Sequence, residues 1–199
     1  RSGAEVYTVQ VTALESNEAR GEELMDQVQE IRAVSGAARL NLIGHSQGSP
    51  TARYVASLRP EWIASVSSVG GVNRGSKVAD AYANGDIDAS LVANALAELI
   101  DWASGGNADR QDLDASIGSL TTEGSVAFNE RYPEGVPHQY CGEGPKVASN
   151  GVHYYSWSGV QPATNAADIS APLLHGTSLA FGDEQNDGMV SRYSSHLGK

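Results

Sequence analysis

The chain has 199 residues, 40% hydrophobic and 19% charged, enough for one domain with a real core. Thirteen Lys and Arg against 24 Asp and Glu give a net charge of −11, and a surface that acidic repels nucleic-acid phosphates and anionic membranes. No apolar run approaches the roughly 18 residues of a membrane span, and the single cysteine, Cys141, excludes an internal disulfide or a Cys-rich zinc site and is expected to be a buried, inert thiol.

The chain opens on Arg1-Ser2-Gly3-Ala4 with no secretory leader, as if its start had been removed. Glu5 to Val11 alternates and is β-branched, so it is expected to be a strand. Ser16 and Asn17 are N-cap residues for a helix. Leu24, Val28 and Ile31 form its apolar face, and Ser35-Gly36 ends it. Arg39 to Ile43 reads as a strand and Pro50 to Leu58 as a helix, with Thr51, Val55 and Leu58 on one side and Pro60 ending it. Trp62 to Val69 reads as a strand again. Strand and helix in alternation predict a parallel sheet with covering helices. Asp80 to Asn107 reads as one long amphipathic helix with a wide stripe of Val92, Ala95, Leu96, Leu99, Ile100 and Ala103. The stretch from Asp109 to Pro145 reads as loop-rich, Gly151 to Trp157 as strand, and Gly159 to Lys199 as mostly loop.

Gly44-His45-Ser46-Gln47-Gly48 fits G-x-S-x-G. In that arrangement the serine sits on a strained turn between strand and helix, and glycines keep the tight turn free of clashes. The bare pattern is weak in a chain with 22 glycines; the apolar strand before it and the helix after it make it informative. The Gln47 backbone N–H, next to the serine, is then one oxyanion donor, and the N-terminus of the following helix faces the developing charge. The motif calls for an acid and then a histidine later in the chain. Asp187, in Glu184-Gln185-Asn186-Asp187-Gly188, is the best-placed acid, with Asp168 and Asp183 as competitors. Of His45, His138, His153, His175 and His196, only His196 follows Asp187.

Several blocks together resemble a known family. They are Arg20-Gly21-Glu22, Asn41 through Gly48, Arg53-Tyr54-Val55-Ala56, Ser67-Ser68-Val69-Gly70 and Arg74-Gly75-Ser76. Phe128-Asn129, Tyr132-Pro133, Cys141 through Gly144, Tyr154 through Gly159, Asn186-Asp187-Gly188 and Ser194 through Gly198 continue the series. The chain is similar, nearly end to end, to the calcium-dependent true lipases of Gram-negative bacteria, the foldase-assisted family I of pseudomonad type. The resemblance implies a single α/β-hydrolase domain over 1–199: a truncated, mostly parallel sheet with helices on both faces and a lid within 80–107. It implies a secreted triacylglycerol lipase acting at a lipid–water interface with the help of a foldase. Ser46 carries over as nucleophile and Asp187 as acid. The family's histidine lies farther beyond the aspartate than Lys199 reaches, so His196 is rejected as the base, and the upstream oxyanion loop is missing too. A fragment of a longer enzyme, nearly inactive alone, is therefore expected. Structural calcium is implied with Asp168, after Asn165, as one ligand of a partial site. Cys141 matches half of a family disulfide whose other half falls at Tyr193. Ser49 stands where many relatives have glycine. The alternatives are another α/β-hydrolase carboxylesterase and a non-catalytic lipid-binding domain.

Overall fold

The computed structural model describes residues 3–87, 113–164 and 170–199. Helix α1 (Asn17–Ser35) starts where the Ser16 hydroxyl accepts the Ala19 N–H (3.2 Å) and ends at Gly36, whose φ of 69° suits glycine. Strand β1 (Leu40–His45) leads into α2 (Gly48–Leu58), and a 3-10 turn at Pro60–Trp62 leads into β2 (Ile63–Val69). Helices α3 (Lys77–Ala83), α4 (Leu113–Leu120) and α5 (Thr122–Arg131) follow, then β3 (His153–Trp157) and α6 (Ala171–Ser178).

The sheet is parallel throughout, in the order β1-β2-β3. Leu42, Val66 and Tyr154 lie in register and point towards α1 and α2. Leu24, Val28, Val55 and Ile63 complete that core, each fully buried aliphatic contributing about 1.5–3 kcal/mol. Helix α2 is buried on all sides from Ser49 to Ala56, while Leu58, expected on its apolar face, is exposed. Gly21 lets the two helices touch: a methyl group there would stand 2.3 Å from the Tyr54 ring. The Tyr54 hydroxyl donates to Glu22 across the same contact. Arg53 is sealed in the core, donating to Asn129 Oδ1 (2.8 Å) and the Tyr132 carbonyl (2.6 Å), and burial lowers its pKa to about 10.

On the opposite face, Ile43, Ser67 and Tyr155 line up, as do His45, Val69 and Trp157. Ile43 is 77% exposed and Trp157 72%, so among the described residues helices cover one face of the sheet, where two were expected. At its β3 edge, Lys199 N–H donates to the Tyr154 carbonyl (3.2 Å) and Ser156 N–H to the Lys199 carbonyl (3.4 Å), which lays residue 199 alongside Tyr155.

Further sequence expectations differ from the structure. Residues 5–11 form no strand, because no neighbouring strand of the described residues offers them a ladder. The Gln27 carboxamide stands in, accepting from Gln10 N–H (3.2 Å) and donating to its carbonyl (2.7 Å). The helix expected from Asp80 onward instead ends at Ala83, with a turn at Asn84-Gly85, and residues 88–112 of the expected lid lie outside the described residues. The expected loop from Asp109 to Pro145 contains α4 and α5, with Thr121 capping the latter through Gly124 N–H (3.0 Å). The terminal stretch, expected to be mostly loop, carries one short helix, α6. Cys141 is exposed rather than buried, and Tyr193 packs its ring on Tyr140 and His196 instead of offering a second thiol.

Candidate active site

Ser46 follows β1 directly and is the one non-glycine among the described residues with a positive φ, 52°. A non-glycine residue in that left-handed region costs about 1–2 kcal/mol. The cost is held by bonds on both sides. Ser46 N–H donates to the Val69 carbonyl (3.1 Å), and the Ser46 carbonyl accepts from Ser49 N–H (3.1 Å) and Val72 N–H (3.3 Å). Of the two motif glycines, only Gly44 is required by space. A methyl group there would lie 2.2 Å from the Gly48 carbonyl oxygen, whereas one on Gly48 would meet nothing within 4 Å.

Gln47 does more than its place beside the serine implied. Its buried carboxamide donates to the Glu15 carbonyl (2.8 Å) and Asn17 Oδ1 (3.2 Å) and accepts from Ser116 Oγ (3.2 Å), pinning the turn to α1 and α4. Among the described residues no hydrogen bond takes up its backbone N–H. Ser49, two positions on, donates its hydroxyl to Asn73 Oδ1 (2.9 Å). Asn73 in turn donates to Ser68 Oγ and the Ser195 carbonyl, both at 3.0 Å. Nothing in the sequence alone singled out Asn73 or Ser116; both become visible only when the loops are folded together.

Ser46 opens onto a slot of about 20 Å³ lined by Val72, Ser76, Val78, Ala79, Ile117, Leu120, Met189 and Val190. All of these side chains but Ser76 belong to or pack on a second apolar cluster, with Phe181, separate from the core behind the sheet. The wall formed by Met189 and Val190 follows Asp187 after one glycine, Gly188. Their N–H groups donate to Asp187 Oδ1 at 2.9 and 2.7 Å, which fixes that oxygen. Oδ2 lies towards Gly70, where a methyl group would stand 3.3 Å from it and 4.0 Å from His45 Nε2. Burial pushes the Asp187 carboxyl up from its ordinary value, against those two N–H bonds and the His45 charge, which pull it down.

The structure therefore brings Ser46, Gln47, His45 and Asp187 to one end of the sheet and leaves the other candidates apart. His196 donates Nδ1–H to the Gly142 carbonyl (2.9 Å) and lines a different, larger cavity of about 500 Å³ with Glu143, Ser156, Arg192 and Lys199. Asp168 lies outside the described residues, and Asp183 is exposed. Among the described residues no group of three or more His, Cys, Asp or Glu could hold a metal ion, and no helix is long and apolar enough to cross a membrane.

A family model described as the alpha/beta hydrolase fold matches residues 13–112. A triacylglycerol lipase of Vibrio cholerae is 50% identical over 206 aligned residues, which take in all of this chain and 65% of that protein. A triacylglycerol lipase of Pseudomonas fragi is 42% identical, over 99% of this chain and 72% of its own length. Among solved structures, the mature Bacillus licheniformis lipase BlEst2 superimposes with a TM-score of 0.63 at 16% identity, covering 92% of this chain and 62% of that one; at that identity the likeness is one of fold. The chain thus spans about two thirds of the length of the Vibrio and Bacillus proteins it matches.

Proposed function

The chain belongs to the alpha/beta-hydrolase fold family, and on that premise we propose that it is the nucleophile-bearing part of a triacylglycerol lipase. The observation that carries the reading is Ser46, held at a φ of 52° between β1 and α2 beside an apolar slot, one wall of which is the loop that fixes Asp187. An ester's acyl chain lies against the apolar side chains at the mouth of the slot, which itself has room for little more than a water, and its carbonyl meets the serine.

Ser46 Oγ attacks the carbonyl carbon. Its proton passes to an imidazole supplied from outside these 199 residues, and Asp187 orients that imidazole and stabilises its cation. The Gln47 N–H stabilises the oxyanion. Collapse breaks the ester bond, the glycerol oxygen leaves with the proton, and water then hydrolyses the acyl-enzyme by the same steps. His196 is no part of this scheme, since its Nδ1–H is committed to Gly142 and it lines another cavity.

Calcium, a foldase partner, a lid and secretion belong to the proposal on the family resemblance alone. Asp168, which lies outside the described residues, would be the calcium ligand from this chain.

The test is hydrolysis of emulsified tributyrin by the full-length polypeptide that carries these residues. Activity is expected to rise once substrate exceeds its solubility limit, and Ser46→Ala is expected to lower turnover by about 10⁴-fold or more. The 199 residues alone are expected to show almost none. Turnover by them, abolished by Ser46→Ala, would place the base inside this chain and overturn the scheme.

A further inference from the structure

The proposed reaction asks one backbone group, the Gln47 N–H, to meet a charge that exists only in passing, and such a donor helps most when it need not move. The peptide that carries it joins Ser46 to Gln47. On the serine side its carbonyl accepts from Ser49 N–H (3.1 Å) and Val72 N–H (3.3 Å). On the other side the Gln47 carbonyl accepts from Thr51 N–H (3.2 Å) and the Thr51 hydroxyl (2.8 Å). The side chain holds the same residue from a third direction. Its amide nitrogen donates to the Glu15 carbonyl (2.8 Å) and Asn17 Oδ1 (3.2 Å), and its Oε1 accepts from the Ser116 hydroxyl (3.2 Å). Asn17 and Ser116 are themselves buried, and Asn17 Nδ2 donates to the Ser119 carbonyl (3.4 Å), which closes the group on α4. Gln47 has ordinary helical angles, φ −60° and ψ −21°, so these bonds hold a direction and not a strained backbone.

We propose that Ser116 and Asn17 are positioning residues for the oxyanion donor: through the Gln47 carboxamide they set the direction of the Gln47 N–H beside Ser46. The proposal rests on the reading of Ser46 as the nucleophile. The two residues stand 69 and 30 positions from Gln47 in the chain, and neither is among the residues that line the slot. A buried carboxamide paired at both ends keeps one orientation, because turning it over would leave its donors and its acceptor facing groups of their own kind. Helix α4 has a second task. Ile117 and Leu120, on the same helix as Ser116, line the apolar slot, so one element both forms a wall beside the serine and supports the donor.

The test uses the full-length polypeptide and p-nitrophenyl butyrate below its solubility limit, with turnover counted per serine that an alkyl fluorophosphonate labels at completion. Ser116→Ala removes one bond to the carboxamide and is expected to lower kcat about tenfold while KM stays within about twofold. Inhibition by octyl trifluoromethyl ketone, whose adduct with the serine carries the oxyanion, is expected to weaken by the same factor. Gln47→Met keeps the backbone N–H and the bulk of the side chain but loses all three bonds, and is expected to lower kcat and ketone affinity by about a hundredfold. Ser116→Thr, which keeps a hydroxyl at that place, is expected to retain most of the parent's kcat. Parental kcat and ketone affinity in both Ser116→Ala and Gln47→Met overturn the proposal, even if their melting temperatures fall. A raised KM with kcat unchanged overturns it too, since a misdirected oxyanion donor acts on the transition state. Either failure leaves the lipase reading standing, whereas full turnover by Ser46→Ala removes that reading itself.

Discussion

Behind the sheet, Val28, Val55, Ile63, Val66 and Tyr154 are at most 1% exposed and interlock with no backbone strain. At the other end, Val72, Val78, Ile117, Leu120 and Val190 are just as apolar, yet they stop short of one another and leave a slot of about 20 Å³ at Ser46, on the described chain's one strained non-glycine residue. The first cluster is satisfied by its own side chains. The second leaves a small gap beside the serine, and around it the polar groups are fixed by dedicated partners: Gln47 by Glu15, Asn17 and Ser116, and Asp187 by Met189 and Val190. Stability resides in one region and chemistry in the other, where strain and burial of charge work against stability.

The contrast can be broken most sharply inside the serine motif. Gly44→Ala forces a methyl into the Gly48 backbone and is expected to cost about 3 kcal/mol or more, or to prevent folding, because backbone cannot step aside as a side chain can. Gly48→Ala points into open space at the start of α2 and is expected to be neutral or stabilising by up to about 1 kcal/mol. Urea unfolding of the two variants checks both signs; equal losses would mean the turn is built differently.

Within the back cluster, Gly21→Ala drives a methyl against the Tyr54 ring. The expected loss is about 1–3 kcal/mol by denaturant unfolding, as for other overpacked cores. A Gly21→Ala, Tyr54→Leu pair that recovers part of the loss would locate the clash.

Smaller changes at the mouth should carry the opposite sign. Ser46→Gly relieves the left-handed strain and is expected to gain up to about 1 kcal/mol in thermal unfolding, less what the freer unfolded chain takes back. Asp187 has a raised pKa in the fold. The folded state therefore binds its proton more tightly than the unfolded chain, and stability falls as pH rises through the folded pKa. Asp187→Asn is expected to raise Tm at pH 7, and the gain should vanish as pH falls below the wild-type carboxyl's pKa. A Tm difference that does not change with pH would remove the carboxyl's titration from the account.

These regions were unequally legible in the sequence. Ser16 and Gly36 announced the ends of α1 because caps are local chemistry, and β1 running into Ser46 announced the turn for the same reason. Residues 5–11 alternate like a strand, but a ladder needs a neighbour, and periodicity says nothing of neighbours. Helices α4 and α5 are hard to see in a sequence where Gly118 and Gly124 interrupt them, since glycine inside a helix is a weak helix former. In the fold, Gly124 lies where a methyl would stand 2.0 Å from the Gly118 carbonyl, so there the glycine marks close packing. Asp187 could be nominated from chain order, but its place beside Gly70, at the end of β2, depends on the fold. The bonds of Asn73 to Ser49, Ser68 and Ser195 depend on loops meeting in space.

The central claim is that the hydroxyl displayed by the strained turn is the group that attacks the ester. Incubating the full-length polypeptide with a long-chain alkyl fluorophosphonate and mapping the adduct by peptide mass spectrometry tests it most directly. The account predicts one phosphonyl group per molecule, on Ser46, with loss of tributyrin hydrolysis in proportion to labelling. A stoichiometric adduct on another residue, or full labelling of Ser46 with hydrolysis undiminished, would contradict it.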